Sequence, residues 1–245
     1  MFTAQERDEI HDRLVELARA DPAVTGAAIT GSRAGDESDR WSDIDLFFGV
    51  AGQVDAAIAR FTDVLYRDFD AVHHWDLPAG PSIYRVFLMP GWLQVDLGFT
   101  PEATFGVHGP SWRLIFGRAA DLKPPIHADP RSLIGLAWHH SLHARICIER
   151  GRTWQAEYWI GALRAELLAL GCLRHGYPTA YAKGAHLLPA EITDPLEAAL
   201  VRSLDTAELN RALDAALAVF AAELERGDSE LTGRLGPMLA ELGPV

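Results

Sequence analysis

Cysteine is nearly absent from this chain of 245 residues, with Cys147 and Cys172 the only two. Both lie in apolar stretches of helical appearance and show no paired spacing, which excludes a disulfide framework and leaves buried thiols suited to a reducing compartment. Long apolar runs are also missing. No stretch reaches the roughly 18 uncharged apolar residues of a membrane span, and the opening Met-Phe-Thr-Ala-Gln-Glu-Arg-Asp-Glu is charged where a signal peptide would be apolar. The expectation is a soluble, cytoplasmic protein with no membrane partner. Positive charge is in deficit, 22 Lys and Arg against 34 Asp and Glu, for a net charge of -12. Nucleic-acid polymers are held by clustered Lys and Arg, so that deficit argues against one as partner. An acidic surface favours solubility and encounter with polycationic small molecules instead. Internal repeats and low-complexity segments are lacking as well.

What is present is concentrated between residues 28 and 46, Ala-Ile-Thr-Gly-Ser-Arg-Ala-Gly-Asp-Glu-Ser-Asp-Arg-Trp-Ser-Asp-Ile-Asp-Leu. An apolar strand ends at Gly31-Ser32, and after ten residues a second strand is expected to begin with Asp43-Ile44-Asp45-Leu46. Strand side chains alternate faces, so Asp43 and Asp45 point the same way with Cα atoms about 6.5 to 7 Å apart, while Ile44, Leu46 and Phe48 point to a core. That pair of carboxylates suits shared divalent metal. Gly31 permits a tight turn with close approach to a ligand, and a helix opening at Ser32 would direct free amides at an anion. Together these features describe a site for a nucleoside triphosphate clamped by Mg²⁺.

Gly31-Ser32, ten residues, then Asp43-x-Asp45 resembles the signature of the DNA polymerase β-like nucleotidyltransferase superfamily, which includes the aminoglycoside and lincosamide nucleotidyltransferases. The resemblance implies a third carboxylate on a later strand. In Trp92-Leu-Gln-Val-Asp-Leu-Gly-Phe99, Leu93, Val95, Leu97 and Phe99 alternate with Gln94, Asp96 and Gly98, which makes Asp96 the candidate. It further implies two Mg²⁺ ions on Asp43, Asp45 and Asp96, with ATP or another nucleoside triphosphate as substrate and a small hydroxylated acceptor.

Along the chain, Thr3 and Glu6 form a capping box before a helix that stops at Asp21-Pro22. Val24 to Thr30 is a strand, and residues 33 to 42 are expected to make a short helix plus loop carrying Arg33 and Arg40, each a candidate phosphate contact or a solvated surface group. A helix follows over Gln53 to Arg67, then strands over Ala71 to Leu77, Ile83 to Met89 and Trp92 to Phe99, the last two joined at Pro90-Gly91. Residues 100 to 130 are rich in Gly and Pro, hold a short amphipathic piece at Ser111 to Phe116, and continue into Leu122-Lys-Pro-Pro-Ile126 as an interdomain linker. From Pro130 the pattern is helical only: Arg131 to Arg150, Thr153 to His175, Pro195 to Ser203, Asp205 to Arg226 with an Asp205/Glu208 capping box, and Ser229 to Leu242. The expected fold class is α+β, with a nucleotidyltransferase domain of mixed sheet and helices over 1–120 and an all-α substrate-binding bundle over 130–245.

Nucleotidyl transfer needs a group to accept the proton of the attacking hydroxyl. Trp154-Gln-Ala-Glu-Tyr-Trp-Ile-Gly-Ala-Leu-Arg164 resembles the acceptor region of the aminoglycoside-type enzymes, which implies Glu157 as base, with Gly161 and Arg164 on the same helical face. The alternative for Glu157 is an acid in a first helical turn favoured by the macrodipole, and for Arg164 a structural partner of that acid rather than a phosphate contact. Lys183 resembles the lysine that such enzymes present to the triphosphate. His139 and His143 are helical i, i+4 neighbours beside His140, and no motif supplies further ligands, so pocket lining or packing is the simpler expectation. The acceptor is expected to be an aminoglycoside- or lincosamide-like molecule. The alternatives are a partner protein, modified as in toxin-antitoxin pairs, and a nucleotide-binding protein without catalysis.

Overall fold

In the computed structural model, which describes residues 1–35, 39–107, 111–121, 128–227 and 229–243 without the side chains of Ser32 and Ser229, the chain divides into two compact units, Met1–Ile126 and His127–Val245. The first begins with α1 (Ala4–Ala20), opened by the Thr3/Glu6 capping box: Glu6 N–H donates to Thr3 Oγ1 and Thr3 N–H to the Glu6 carboxylate. Strand β1 (Val24–Thr30) leads to a 3₁₀ turn at Gly31–Ala34, then β2 (Ile44–Val50), α2 (Val54–Asp68), β3 (His73–Ala79), β4 (Ser82–Leu88), β5 (Gln94–Pro101) and β6 (Trp112–Phe116).

The six strands form one mixed sheet in the order β3-β4-β5-β2-β1-β6. Only β2 and β5 run parallel. A parallel pair cannot be closed by a tight turn, and the chain between them runs through α2 and the β3-β4 hairpin. Period-two alternation sorts the two faces. Ile44, Leu46 and Phe48 of β2 and Val95, Leu97 and Phe99 of β5 join Leu14 and Ala18 of α1 and Ile58, Phe61 and Leu65 of α2 in the main core. Phe48 packs within 5.0 Å of Phe61 and 5.4 Å of Phe99, centroid to centroid. On the opposite face a small cluster of Ala28, Phe47 and Phe105 is flanked by Tyr84 and Trp112. Phe105 fits because β1 and β2 pass under it with Gly26 and Gly49, where a Cβ would collide with its ring.

Several expectations need correction. Strand β2 starts at Ile44, with Asp43 in the preceding loop. The short helix plus loop expected over 33 to 42 has as its helical part a four-residue 3₁₀ turn that starts earlier, at Gly31, with residues 36–38 outside the described residues. Ser111 to Phe116 is not linker: Trp112–Phe116 is an edge strand antiparallel to β1, whose outer hydrogen-bonding groups it satisfies. Leu122 to Ile126 lies outside the described residues. At Pro90-Gly91 a 3₁₀ turn carries both Gly91 and Trp92 at positive φ, so β5 begins only at Gln94.

The second unit holds α3 (Pro130–Glu149), α4 (Thr153–His175), α5 (Ala190–Glu197), α6 (Thr206–Gly227) and α7 (Ser229–Glu241). Its core draws Leu163 and Leu167 from α4 and Leu209, Leu213 and Phe220 from α6. The helix expected over Pro195 to Ser203 runs instead from Ala190 to Glu197, with Pro195 inside it. The Asp205/Glu208 box is replaced by another arrangement, in which Glu208 accepts from Arg202 N–H and the Arg211 guanidinium while Asp205 N–H turns to Ser203 Oγ.

Candidate active site

The register of β2 against β5 sets Asp45 directly beside Asp96. Both stand on the face away from α1 and α2, and Asp43 joins them from the residue before β2. Each of the three half-buried carboxylates offers an oxygen within 4.8 Å of the others, and among the described residues no other three His, Cys, Asp or Glu side chains come together in this way. Unit negative charges at that spacing repel by about 3 kcal/mol per pair at an effective dielectric near 20. A hard divalent cation removes the repulsion, and an all-oxygen set is the donor chemistry of Mg²⁺. Gln94, two residues before Asp96 on the same face, donates to Asp96 Oδ2 at 3.1 Å. Tyr84 lies near enough for the Asp45 charge to add to the main effect, burial, in raising its phenol above the ordinary range.

Gly31 is demanded twice over. Its φ is +67°, and a Cβ there would fall inside van der Waals contact of the Asp45 carboxylate. The turn that follows β1 thus rests on the metal-ligand candidate. Gly31→Ala is expected to cost about 1 to 3 kcal/mol of stability through the left-handed backbone and to push the Asp45 carboxylate aside. Urea unfolding with and without Mg²⁺ would check this, since the variant should show both a lower midpoint and a weaker stabilisation by the ion. A midpoint equal to the parent's would refute the steric argument.

The surroundings of the turn differ from the simplest expectation. Arg33 donates to Asp8 Oδ1 at 2.6 Å, and this bond, ahead of Arg7's, holds the Asp8 carboxyl below its ordinary range. Arg33 is therefore committed to α1. Arg40 stacks on the exposed Trp41 ring at 4.1 Å. Arg113 of β6 donates to the Arg33 carbonyl at 3.3 Å. Arg7, which the sequence reading passed over, is buried and donates to the carbonyls of Asp39 and Ser42, fixing the loop that delivers Asp43. Its signal was present: Arg7 lies on the buried stripe with His11, Leu14 and Ala18, where a charge needs an internal partner.

In the helical unit, Glu157 of α4 is half-buried, and it and Arg164 border Gly161, whose outward direction meets Arg164 Nη2 at 3.7 Å and Glu157 Oε1 at 3.9 Å. Arg164 donates to the Ala199 carbonyl at 3.2 Å. Lys183 is exposed and follows Tyr181 and Ala182, both at positive φ. His139, His140 and His143 gather around Trp159, with ring centroids 5.9, 5.2 and 5.0 Å from it. Burial first, then the neighbouring imidazoles, lowers the His140 pKa. A histidine held neutral in the fold is protonated first in the unfolded chain, so stability falls as pH drops below the ordinary value of about 6.5. Urea midpoints between pH 7.5 and 5.5 should decline less in His140→Gln than in the parent, and equal slopes would rule His140 out as the source.

No protein-family profile matches the chain, and no curated protein does. Among solved structures, an aminoglycoside 6-adenyltransferase from Bacillus subtilis aligns over 99% of both chains at 11% identity with a TM-score of 0.40.

Proposed function

We propose that the protein is a Mg²⁺-dependent nucleotidyltransferase that moves a nucleoside monophosphate, AMP from ATP, to a hydroxyl of a small aminoglycoside- or lincosamide-like molecule. The observation that carries this reading is the convergence of Asp43, Asp45 and Asp96 beside the Gly31 turn. Two Mg²⁺ ions held by these carboxylates would neutralise charge on the transferring phosphoryl group and the departing pyrophosphate. Asp45 and Asp96, on adjacent central strands, keep a fixed spacing, and Arg7 holds the loop that brings Asp43 to them. The Gly31–Ala34 turn offers its backbone to the triphosphate, and Lys183 and Arg164 are assigned contacts with the phosphates from the helical unit. The acceptor oxygen bonds to the α-phosphorus as the bond to pyrophosphate breaks, and its proton passes to Glu157.

Three carboxylates brought together favour catalysis over nucleotide sensing, since two Mg²⁺ ions that clamp both the transferring group and pyrophosphate need the full set. The deciding experiment is a screen of hydroxylated small molecules, aminoglycosides and lincosamides included, for pyrophosphate release from ATP with Mg²⁺. Acceptor-dependent release abolished by EDTA supports the proposal. Failure of the protein to bind ATP in the presence of Mg²⁺ would refute it.

A further inference from the structure

The carboxylate face of the sheet does not end at Asp96. Across the strands, Asp45 pairs with Asp96, Asp96 with Val86, and Val86 with Trp75. Directly paired residues point to the same face, so these four side chains form one row, which at about 4.8 Å per strand puts Trp75 roughly 10 Å from Asp96. The adjacent row runs Phe47, Gly98, Tyr84, Leu77. Gly98 lets the Phe47 and Tyr84 rings, 5.7 Å apart between centroids, close over it, for a Cβ there would collide with both. Trp75, 53% exposed, is a large apolar group with an open surface in the row that holds the carboxylates, and Leu77, 44% exposed, stands in the row beside it.

Direction follows from what flanks the carboxylates. The Gly31 turn rests on Asp45 from the β1 side, and the Phe47–Phe105 stack, 5.8 Å between centroids, closes the face further along. In-line displacement puts the attacking oxygen opposite the leaving pyrophosphate. With the triphosphate tail at the Gly31 turn, the attacking molecule approaches from the Asp96 side, over β4 and β3. The charges on those strands are turned elsewhere: Arg85 and Asp76 pair at 2.7 Å, and Arg85 also donates to Thr62 of α2.

Resting on the nucleotidyl-transfer reading, we infer that Trp75, Leu77, Tyr84 and Val86 form an acceptor ledge, which takes a hydroxylated ring compound by an apolar face. A polycation finds no carboxylate in these two rows beyond Asp45 and Asp96, which the cation occupies, whereas a sugar or alicycle with one apolar side covers the Trp75 indole. The ledge therefore selects rings of low positive charge.

The test uses the full chain with two probes, lincomycin, a sugar with one basic nitrogen, and kanamycin, a polyamine. Lincomycin-dependent pyrophosphate release from ATP and Mg²⁺ is expected to exceed that with kanamycin. Trp75→Ala should raise the lincomycin KM about tenfold or more with the ATP KM within twofold, and Trp75→Phe should restore most of the loss. An unchanged lincomycin KM in Trp75→Ala overturns the inference, as does a parent that binds ATP with Mg²⁺ but not lincomycin. Light scattering showing that Trp75→Ala halves the molecular mass while the lincomycin KM stays constant would assign the ledge to a second copy of the chain and overturn it too. A parent that fails to bind ATP with Mg²⁺ removes the underlying reading itself, an outcome distinct from the others.

Discussion

Asp45→Asn is expected to lower nucleotidyl transfer by about 10³-fold or more while leaving the protein folded. Asp45 is the central member of the carboxylate set, level with Asp96 in the register and touched by the Gly31 turn. Amide replacement keeps its shape and removes its charge. A metal clamp supplies several kcal/mol of charge stabilisation to a phosphoryl-type transition state, and each 1.36 kcal/mol is a factor of ten in rate. The same substitution removes one source of repulsion among three carboxylates, so without Mg²⁺ the variant should unfold at the parent's temperature or above it. Addition of Mg²⁺ should raise the parent's melting temperature and leave the variant's nearly unchanged. Turnover within tenfold of the parent, or an undiminished response to Mg²⁺, would remove Asp45 from the metal set.

The parts of this site that were legible in the sequence are those governed by strand periodicity. Asp45 and Asp96 could be assigned to faces because alternation with Ile44, Leu46, Val95 and Leu97 admits one orientation once a core is required, whereas Asp43, expected on the same strand, lies in the loop before it. Register was not legible. Nothing in the residues themselves says that Asp45 stands opposite Asp96 in a parallel pair, since pairing is set by the whole sheet and by the crossover through α2 and the β3-β4 hairpin. Trp75 was out of reach for the same reason: its membership of the carboxylate row passes through two successive registers. The segment after Gly31 is expected to open a short helix from Ser32, and the chain makes only four residues of 3₁₀ conformation there. Strand β6 was missed because five residues between Gly-rich and Pro-rich flanks look like linker until β1 presents an edge. In the helical unit, Thr153–His175 was legible at both ends from its 3.6-residue pattern and the Gly176 stop at φ +73°, whereas Pro195 misdirected the start of its neighbour. Pro195 is the sixth of the eight residues of that helix, past the first turn where proline is ordinarily tolerated.

Glu157→Gln is expected to reduce kcat by about 10² to 10⁴, the range typical of a positioned general base, with little change in nucleotide affinity. Asp43, Asp45 and Asp96 are assigned to metal, Asp8 is bonded to Arg33 and Arg7, and Asp76 is locked to Arg85. Glu157, proposed as the base, is half-buried on a helical face with Arg164, whose guanidinium is bonded to the Ala199 carbonyl. The competing role, a helix-dipole acid, is weaker than the sequence made it look, because Glu157 is the fifth residue of α4 and lies beyond its first turn. The dipole contribution fades over that turn, so neutralisation should cost less than about 1 kcal/mol of stability and leave turnover unmoved if no proton transfer is involved. A variant with kcat within threefold of the parent would assign the proton to another acceptor.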